Sequence, residues 1–285
     1  MLSANHVKSH LGKQRLINVK AIILSAGQGR RLLPLTEQLP KCCLQLHDKS
    51  LLEWQIESLI ANGVTEVVVV TGFGAKYVEE ITSRIQHVSV RTRYNPFYAL
   101  SDNLGTCWVV RDEMSQPFVL INGDTLFEPR VMGGLLATQS EFAITLATDH
   151  KADYDDDDMK IVAQKGRLHR VGKRLAMNTV NGESIGMMKF DQAGCRAFVG
   201  KIEQLMSGTD GLARWYLSAI DELAQQGLVG ISPINGLSWC EVDDLNDLEH
   251  AATVVKQWRD QLNQTDSNDK SSTLPDPDIS SPYSH

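Results

Sequence analysis

A segment rich in glycine and basic residues is the first place in this sequence where the residue types indicate chemistry. Gly27 and Gly29 follow an apolar run, with Arg30 and Arg31 directly after them and Lys41 a little further on. Glycines let the backbone approach a ligand closely and turn successive N–H groups toward an anion. Arginine offers phosphate a planar fork, and lysine offers a compact charge. The segment therefore predicts a phosphate-binding loop.

The spacing within this loop separates several kinds of phosphate site. A dinucleotide-binding fingerprint needs a third glycine where the helix packs on the strand, but Leu32 stands there and Pro34 follows. The Walker pattern, with Lys and Ser or Thr directly after the last glycine, is also missing. Two glycines alone are equally compatible with a plain turn from strand to loop, so the basic residues carry the prediction.

Acidic residues at two distant points in the chain form the second chemical feature. Asp124 follows a buried apolar run, where α/β enzymes place metal ligands at the carboxyl ends of strands. Glu241 and Asp243 share one face of a short strand because side chains alternate. Asp244 is placed to cap the N-terminus of the following helix. For Asp124, the alternative to binding a metal is that it only caps a turn.

Cysteine usage gives no sign of a metal or disulfide site. The five cysteines are odd in number and scattered, without a Cys-x-x-Cys pair. We interpret them as reduced thiols of a cytoplasmic protein.

Composition limits the classes of partner. The chain has 285 residues, a formal net charge of −7 and a pI of about 5.6, so a basic surface for nucleic acid or anionic membranes is not expected. No apolar run approaches the length of a membrane span, and Met1–Asn18 does not resemble a secretory signal.

The elements that must position these residues alternate between strand and helix. Strands are predicted at Val19–Ser25, Glu66–Gly72, Val88–Tyr94, Phe118–Asn122 and Phe142–Thr148, with helices between them. This rhythm predicts an α/β fold with a Rossmann-like, doubly wound and mostly parallel sheet. Ligands in such sheets bind at the carboxyl ends of the strands.

The second half of the chain has a different rhythm. Met159–Ala163 and Leu168–Val171 flank a Lys-Gly turn and predict a β-hairpin, which with nearby helices forms a small insertion. We expect an N-terminal extension at 1–18, one domain at 19–262 and a disordered tail at 263–285, which has almost no apolar residues. The acidic run Asp153–Asp158 is interpreted as a solvated loop rather than a calcium site.

These motifs together resemble the sugar-phosphate nucleotidyltransferase family over about residues 19–254. The family signature Gly-x-Gly-Thr-Arg-Leu-x-Pro-Leu-Thr matches the stretch from Gly27 to Thr36, except that Arg30 replaces the threonine. Pro40-Lys41, the Gly-Asp ending at Asp124 and the late Trp-x-Glu-x-Asp-x-x-x-Asp-Leu also match.

The resemblance implies roles for these residues. Those that hold the nucleoside triphosphate are Ala26, Gly27, Gly29, Arg31 and Lys41, and Asp124 and Asp243 are the implied Mg²⁺ ligands. A phosphate or phosphonate oxygen of the acceptor attacks the α-phosphorus in line, and pyrophosphate leaves. Because this nucleophile is already anionic, no general base is required, and catalysis consists of holding two repelling anions together.

A later stretch resembles one subgroup, the cytidylyltransferases for phosphocholine, inositol phosphate and small phosphonates. It includes Asn-Pro-Phe-Tyr from Asn95 and a Ser-Asp-Asn-Leu in which Asp102 replaces the usual asparagine. The implied nucleotide contacts are Asn95, Asn103 and Thr106, although Asn95 and Asp102 also suit plain turn formation.

The same resemblance implies that the hairpin and its nearby helices form a small acceptor-binding insertion. Lys160 lies in an Asp-Met-Lys-Ile segment and is the candidate to hold the acceptor phosphate, which gives it a catalytic role, with Lys173 as a weaker candidate. Glu183 is a candidate for an acceptor hydroxyl or amine. Trp215 and Tyr216 suit helix packing, or alternatively a cation–π box for an ammonium group.

The sequence thus predicts a Mg²⁺-dependent cytidylyltransferase that joins CMP from CTP to a small phosphorylated or phosphonylated alcohol. Two alternatives remain: a hexose-1-phosphate uridylyl-, thymidylyl- or guanylyltransferase, and a non-catalytic regulatory subunit of the same fold. A dinucleotide-dependent oxidoreductase is disfavoured by Leu32 and Pro34. The identity of the acceptor stays open. The oligomeric state also stays open, with a homodimer as one alternative.

Overall fold

A nine-stranded mixed sheet with helices on both faces forms the centre of the molecule. The computed structural model describes residues 19–271, and the side chains of residues 19–260. The strands in this part are β1 Lys20–Ser25, β2 Gln45–Leu46, β3 Lys49–Ser50, β4 Glu66–Thr71, β5 Ser89–Tyr94, β6 Phe118–Asn122, β7 Thr125–Phe127, β8 Ile144–Asp149, β9 Lys160–Gln164, β10 Arg167–Val171, β11 Gly182–Phe190, β12 Val229–Pro233 and β13 Trp239–Glu241. The helices are α1 Leu51–Ala61, α2 Ala75–Ser83, α3 Asn103–Val109, α4 Pro129–Ala137, α5 Gln192–Met206, α6 Tyr216–Gln225 and α7 Leu245–Ser271.

The first half of the sheet is parallel, as the sequence predicts. Strands β5, β4, β1 and β6 lie side by side in that order and run in one direction. Apolar side chains of β1, β4 and β6 alternate between two clusters, one on each face of the sheet. Both faces are therefore buried, which explains the nearly continuous β-branched runs in these strands.

The second half corrects the prediction of a mostly parallel sheet. Strand β11 runs antiparallel to β6 on one side and to β8 on the other, and the hairpin of β9 and β10 is antiparallel as well. The chain reaches β11 through the hairpin instead of a crossover helix, so it can return in the opposite direction. The α/β class is confirmed, and the sheet is mixed.

The predicted hairpin is present. Lys165 and Gly166, with φ of 52° and 78°, form the two-residue turn between β9 and β10. The first residues of β11 also pair with β9, so five strands close into a ring beside the parallel half.

A third apolar cluster lies beneath the glycine-containing loop. Leu32 from this loop, Leu126 from β7 and Val242 after β13 pack with Val255 of α7, and each is fully buried. Helix α7 thereby packs against the glycine-containing loop through this cluster.

The chain ends extend beyond the described part. Helix α7 continues to Ser271, nine residues further than the Leu262 at which the sequence pattern predicts the end of the domain. The predicted extension at 1–18 and the remainder of the predicted tail, 272–285, lie outside the described residues. None of the helices in the described part is long and apolar enough to cross a membrane.

Candidate active site

The glycine-containing loop follows β1 at the carboxyl edge of the sheet, and Lys41 lies across it. Gly29 has a φ of 77°, and a Cβ at this position would lie 2.9 Å from Cβ of Lys41. Thr36 closes the loop because its hydroxyl donates to the carbonyl oxygen of Gly29 at 2.7 Å. The loop thus needs glycine at position 29, both for its left-handed backbone and for the approach of Lys41.

Lys41 joins the two predicted metal ligands. Its Nζ donates to Oδ2 of Asp124 at 2.9 Å and to Oδ1 of Asp243 at 2.7 Å. Arg31 contacts the other oxygen of Asp243 at 2.7 Å. Carboxylates from distant parts of the sequence, together with the two predicted phosphate ligands, therefore form one compact cluster.

A short antiparallel ladder explains why these aspartates meet. Strands β7 and β13 pair with Glu241 opposite Thr125, and the N–H of Val242 then donates to the carbonyl oxygen of Asp124 at 3.1 Å. Asp124 and Asp243 flank this ladder at the same end.

The start of α7 fixes the backbone at Asp243. Oδ2 of Asp247 accepts from the N–H groups of Asp243 and Asp244 at 2.9 and 3.0 Å. Oδ1 of Asp244 in turn accepts from the N–H of Asp247 at 3.0 Å, which is the capping role predicted for Asp244.

The charges in the cluster stabilise one another. Burial alone lowers the pKa of Lys41, but Asp124 and Asp243 outweigh it and hold this pKa above its ordinary value. Burial raises the pKa of Asp243, yet Lys41 and Arg31 bring it below its usual range. Both partners therefore stay ionised at neutral pH.

Glu241 is a third acid beside this cluster. Burial, followed by the charges of Asp124 and Asp243, raises the pKa of Glu241 to about 8. Sequence analysis noted that Glu241 and Asp243 share a strand face but gave Glu241 no role.

Tyr216 is buried, as expected for helix packing, but it also has a polar contact. Its hydroxyl donates to Oδ1 of Asn122 at 2.8 Å, at the end of β6 and two residues before Asp124. Nothing in the sequence indicated this hydrogen bond to Asn122.

The two main candidates for acceptor binding lie opposite each other on β9 and β11. Lys160 and Glu183 are register partners, and both are almost fully buried. In this structure Nζ of Lys160 donates to the carbonyl oxygens of Asp155 and Asp158. Burial raises the pKa of Glu183 to about 7, although Lys151, with its Nζ 3.3 Å from the carboxylate, opposes the rise.

Lys173 is connected to the phosphate loop through the acidic loop 153–158. Asp157 contacts Lys173 at 3.2 Å and Arg31 at 3.1 Å. Nζ of Lys173 also lies 4.9 Å from the ring centroid of Trp215. The loop is solvated, as expected, but sequence analysis missed the contacts of Asp157.

The predicted base-contacting residues use their side chains within the protein. Asn95 is fully buried, accepts from the N–H of Phe97 at 2.8 Å and donates to the hydroxyl of Thr106 at 3.1 Å. Asn103 accepts from the N–H of Tyr216 at 2.8 Å. These contacts shape the turn after β5, and the proposed contacts with a nucleotide stay a prediction.

The donor set suits a hard divalent cation. Oδ1 of Asp124 is buried and has no hydrogen-bond partner in the described part of the chain, so an anionic oxygen is left for a cation. Mg²⁺ characteristically combines one or two carboxylates with substrate phosphate oxygens and water. Asp124 and Asp243 therefore fit such a site.

Comparison with known proteins shows what this site is similar to. The family described as nucleotidyl transferase matches residues 20–153, which include the glycine loop, Lys41 and Asp124. The choline-phosphate cytidylyltransferase of Streptococcus pneumoniae is 23% identical over 246 residues, covering 84% of this chain and 99% of that protein. The CTP:phosphoglutamine cytidylyltransferase of Campylobacter jejuni is 24% identical over 253 residues, covering 81% and 98% respectively.

Solved structures agree with the fold. The inositol-1-phosphate CTP transferase of T. maritima superposes with a TM-score of 0.70 at 21% identity, covering 82% of this chain and 95% of that one.

Proposed function

We propose that this chain is a member of the nucleotidyl transferase family, whose model matches residues 20–153. Within that family it is a cytidylyltransferase that transfers CMP from CTP to a small phosphorylated or phosphonylated alcohol and releases pyrophosphate. The observation that carries the proposal is the position of Lys41, which contacts Asp124 and Asp243 while lying across the glycine loop. Such a cluster is suited to bringing two anions together.

The basic residues in this cluster have capacity left for substrate. A lysine ammonium has three donors, and Lys41 uses two of them on the aspartates, so one remains for a phosphate oxygen. Arg31 is half-exposed at the rim of the cluster and presents its guanidinium fork to incoming phosphate. These residues hold the triphosphate and stabilise the charge that develops as pyrophosphate leaves.

Mg²⁺ is the metal that the donor set favours. Asp124 and Asp243 would hold it, and when bound it supplies positive charge that neutralises the triphosphate oxygens during transfer. Lys41 bonds to both carboxylates and holds them close together, so they are ready to accept a cation.

The ring of strands next to this cluster suits the acceptor. Lys160 offers a buried ammonium to the acceptor phosphate, and Glu183 offers a carboxylate to a hydroxyl or amine group. The names of the relatives support CTP as the nucleotide and a small phosphorylated compound as the acceptor.

A substrate panel tests the proposal. The protein is incubated with Mg²⁺, with each of CTP, UTP, dTTP and GTP, and with phosphocholine, inositol phosphate, 2-aminoethylphosphonate or glucose 1-phosphate, and pyrophosphate release is followed. We expect turnover with CTP and one of the first three acceptors. Preference for UTP, dTTP or GTP with glucose 1-phosphate would assign the chain to hexose-1-phosphate chemistry. Absence of turnover in every combination would point to a non-catalytic protein.

A further inference from the structure

An aspartate of the acidic loop lies between two cations that the sequence marks as candidates for binding phosphate. The carboxylate of Asp157 contacts Arg31 with one oxygen at 3.1 Å and Lys173 with the other at 3.2 Å. Arg31 also contacts Asp243, and the charge of Lys173 acts on Asp243 as well. Both cations therefore belong to the cluster around Lys41.

A carboxylate that bridges two cations has the charge and the oxygen spacing of part of a phosphate group. Arg31 and Lys173 come from separate segments, the loop after β1 and the segment after β10. Asp157 bonds to both side chains and so bridges them. Arg31 and Lys173 thus form an anion seat, and this structure shows the seat with a carboxylate in it.

The acidic loop is built to present this one side chain. Oδ1 of Asp155 accepts from the N–H groups of Asp157 and Asp158 at 2.8 and 3.1 Å. Lys151 donates to Asp158 at 2.6 Å, and the buried Lys160 donates to carbonyl oxygens of the same loop. These contacts hold the loop from its protein side, while the side chain of Asp157 is 70% exposed and directed at Arg31 and Lys173.

The seat is also held from behind. The ring of Trp215 contacts the ammonium of Lys173, with 4.9 Å between Nζ and the ring centroid. Cation–π contact restrains the ammonium without neutralising it. Lys173 therefore stays in place when Asp157 leaves.

We infer that Asp157 is an internal competitor for a phosphoryl group of the substrate, and that the acidic loop opens when the triphosphate takes the seat between Arg31 and Lys173. This inference rests on the proposed function and adds a regulation of the same site. Because Asp157 is an exposed acid bonded to two cations, the competition is modest and fully reversible.

Binding measurements on two matched variants test the inference. Asp157→Asn removes the competing charge and keeps the side-chain shape. Asp156→Asn removes the same charge from the adjacent position, whose side chain is exposed and forms no ion pair with any residue between 19 and 260. Calorimetry with CTP and with inorganic pyrophosphate, without acceptor, gives the Kd for each protein.

We expect Asp157→Asn to tighten binding of both ligands about three- to tenfold, the range set by two surface ion pairs, and Asp156→Asn to change it by less than about twofold. Equal effects of the two variants, or weaker binding by Asp157→Asn, would overturn the inference. Because this readout needs no turnover, it is separate from the substrate panel. If the wild-type protein turns over CTP but the two variants bind the ligands equally well, only the competition by Asp157 is refuted, and the proposed function stands.

Discussion

Lys41 determines the chemistry of the site at the scale of single residues. Its ammonium is the common partner of Asp124 and Asp243, and without it two carboxylates would face each other in a half-buried cleft. Like charges at that separation repel each other. Lys41 offsets this repulsion through its ion pairs with both carboxylates, and in the proposed function its remaining donor binds substrate.

Gly29 is the residue that lets Lys41 lie across the phosphate loop. We expect Gly29→Ala to lower the free energy of unfolding by about 1–2 kcal/mol, because alanine is strained at a φ of 77° and its Cβ would overlap the Lys41 side chain. Gly27→Ala is the control, since a Cβ there meets no atom within 4 Å and φ is not positive. Urea unfolding of both variants measures the difference. Equal stability would show that the loop tolerates a side chain at both glycines.

At the scale of elements, the pairing of β7 with β13 brings the aspartates together. Sequence patterns predicted β13 and the buried strand before Asp124, but β7 is only three residues long and directly follows a Gly-Asp turn. A strand of three residues is too short to show an alternating pattern. Its partner is also more than a hundred residues away in the sequence, so no local turn indicates the pairing. The positions of Asp124 and Asp243 were therefore predictable from the family resemblance, whereas the ladder that joins them was not.

Strand β12 shows a similar limit of sequence patterns. Its sequence, Val-Gly-Ile-Ser-Pro, contains two residues that weaken a strand prediction. The structure explains the glycine, since a Cβ on Gly230 would overlap the ring of Phe142. Tertiary packing therefore selects a residue here that local propensity disfavours.

Helix α7 supports the phosphate loop through the apolar cluster around Leu32. We expect Leu32→Ala to lower the free energy of unfolding by about 2–5 kcal/mol, because the side chain is fully buried and its loss leaves a cavity. The neighbouring Leu33 is 48% exposed, so Leu33→Ala should change stability by less than about 0.5 kcal/mol. Denaturant titration of the pair distinguishes them, and comparable losses would mean that the cluster does not anchor the loop.

At the scale of the whole molecule, charges that stabilise the fold lie apart from those of the site. Glu113 is buried at the amino-terminal edge of the sheet, where it contacts Lys20 at 3.1 Å and also bonds Arg91 and Arg93. The cluster around Lys41 lies at the opposite, carboxyl-terminal edge. Stability and activity should therefore respond to different substitutions.

The acid stability of the protein should depend on Glu113. Hydrogen bonds from Arg91, only partly opposed by burial, bring the pKa of Glu113 from its ordinary 4.5 to about 2. A lowered folded-state pKa means that the contribution to stability is complete above about pH 4.5 and is lost as pH falls toward 2.

We expect Glu113→Gln to cost about 2 kcal/mol at pH 7, and this difference from wild type to shrink as pH falls from about 4.5 to 2. The exposed Asp112 pairs with Arg93 at 3.0 Å, and Asp112→Asn should cost less than about 0.5 kcal/mol. Urea unfolding at several pH values gives both curves. A difference between Glu113→Gln and wild type that stays constant down to pH 2 would contradict this assignment.

In the proposed function, Asp124 and Asp243 act together around Lys41 in nucleotidyl transfer. The most direct measurement is the rate of pyrophosphate release, with Mg²⁺ and the best substrate pair from the panel, for Asp124→Asn and Asp243→Asn. Asp244→Asn is the control, since this residue caps α7 without contacting Lys41. We predict that each of the first two substitutions lowers kcat/KM at least about a hundredfold and that the control stays within about threefold of wild type. Near-wild-type rates for both Asp124→Asn and Asp243→Asn would contradict the account.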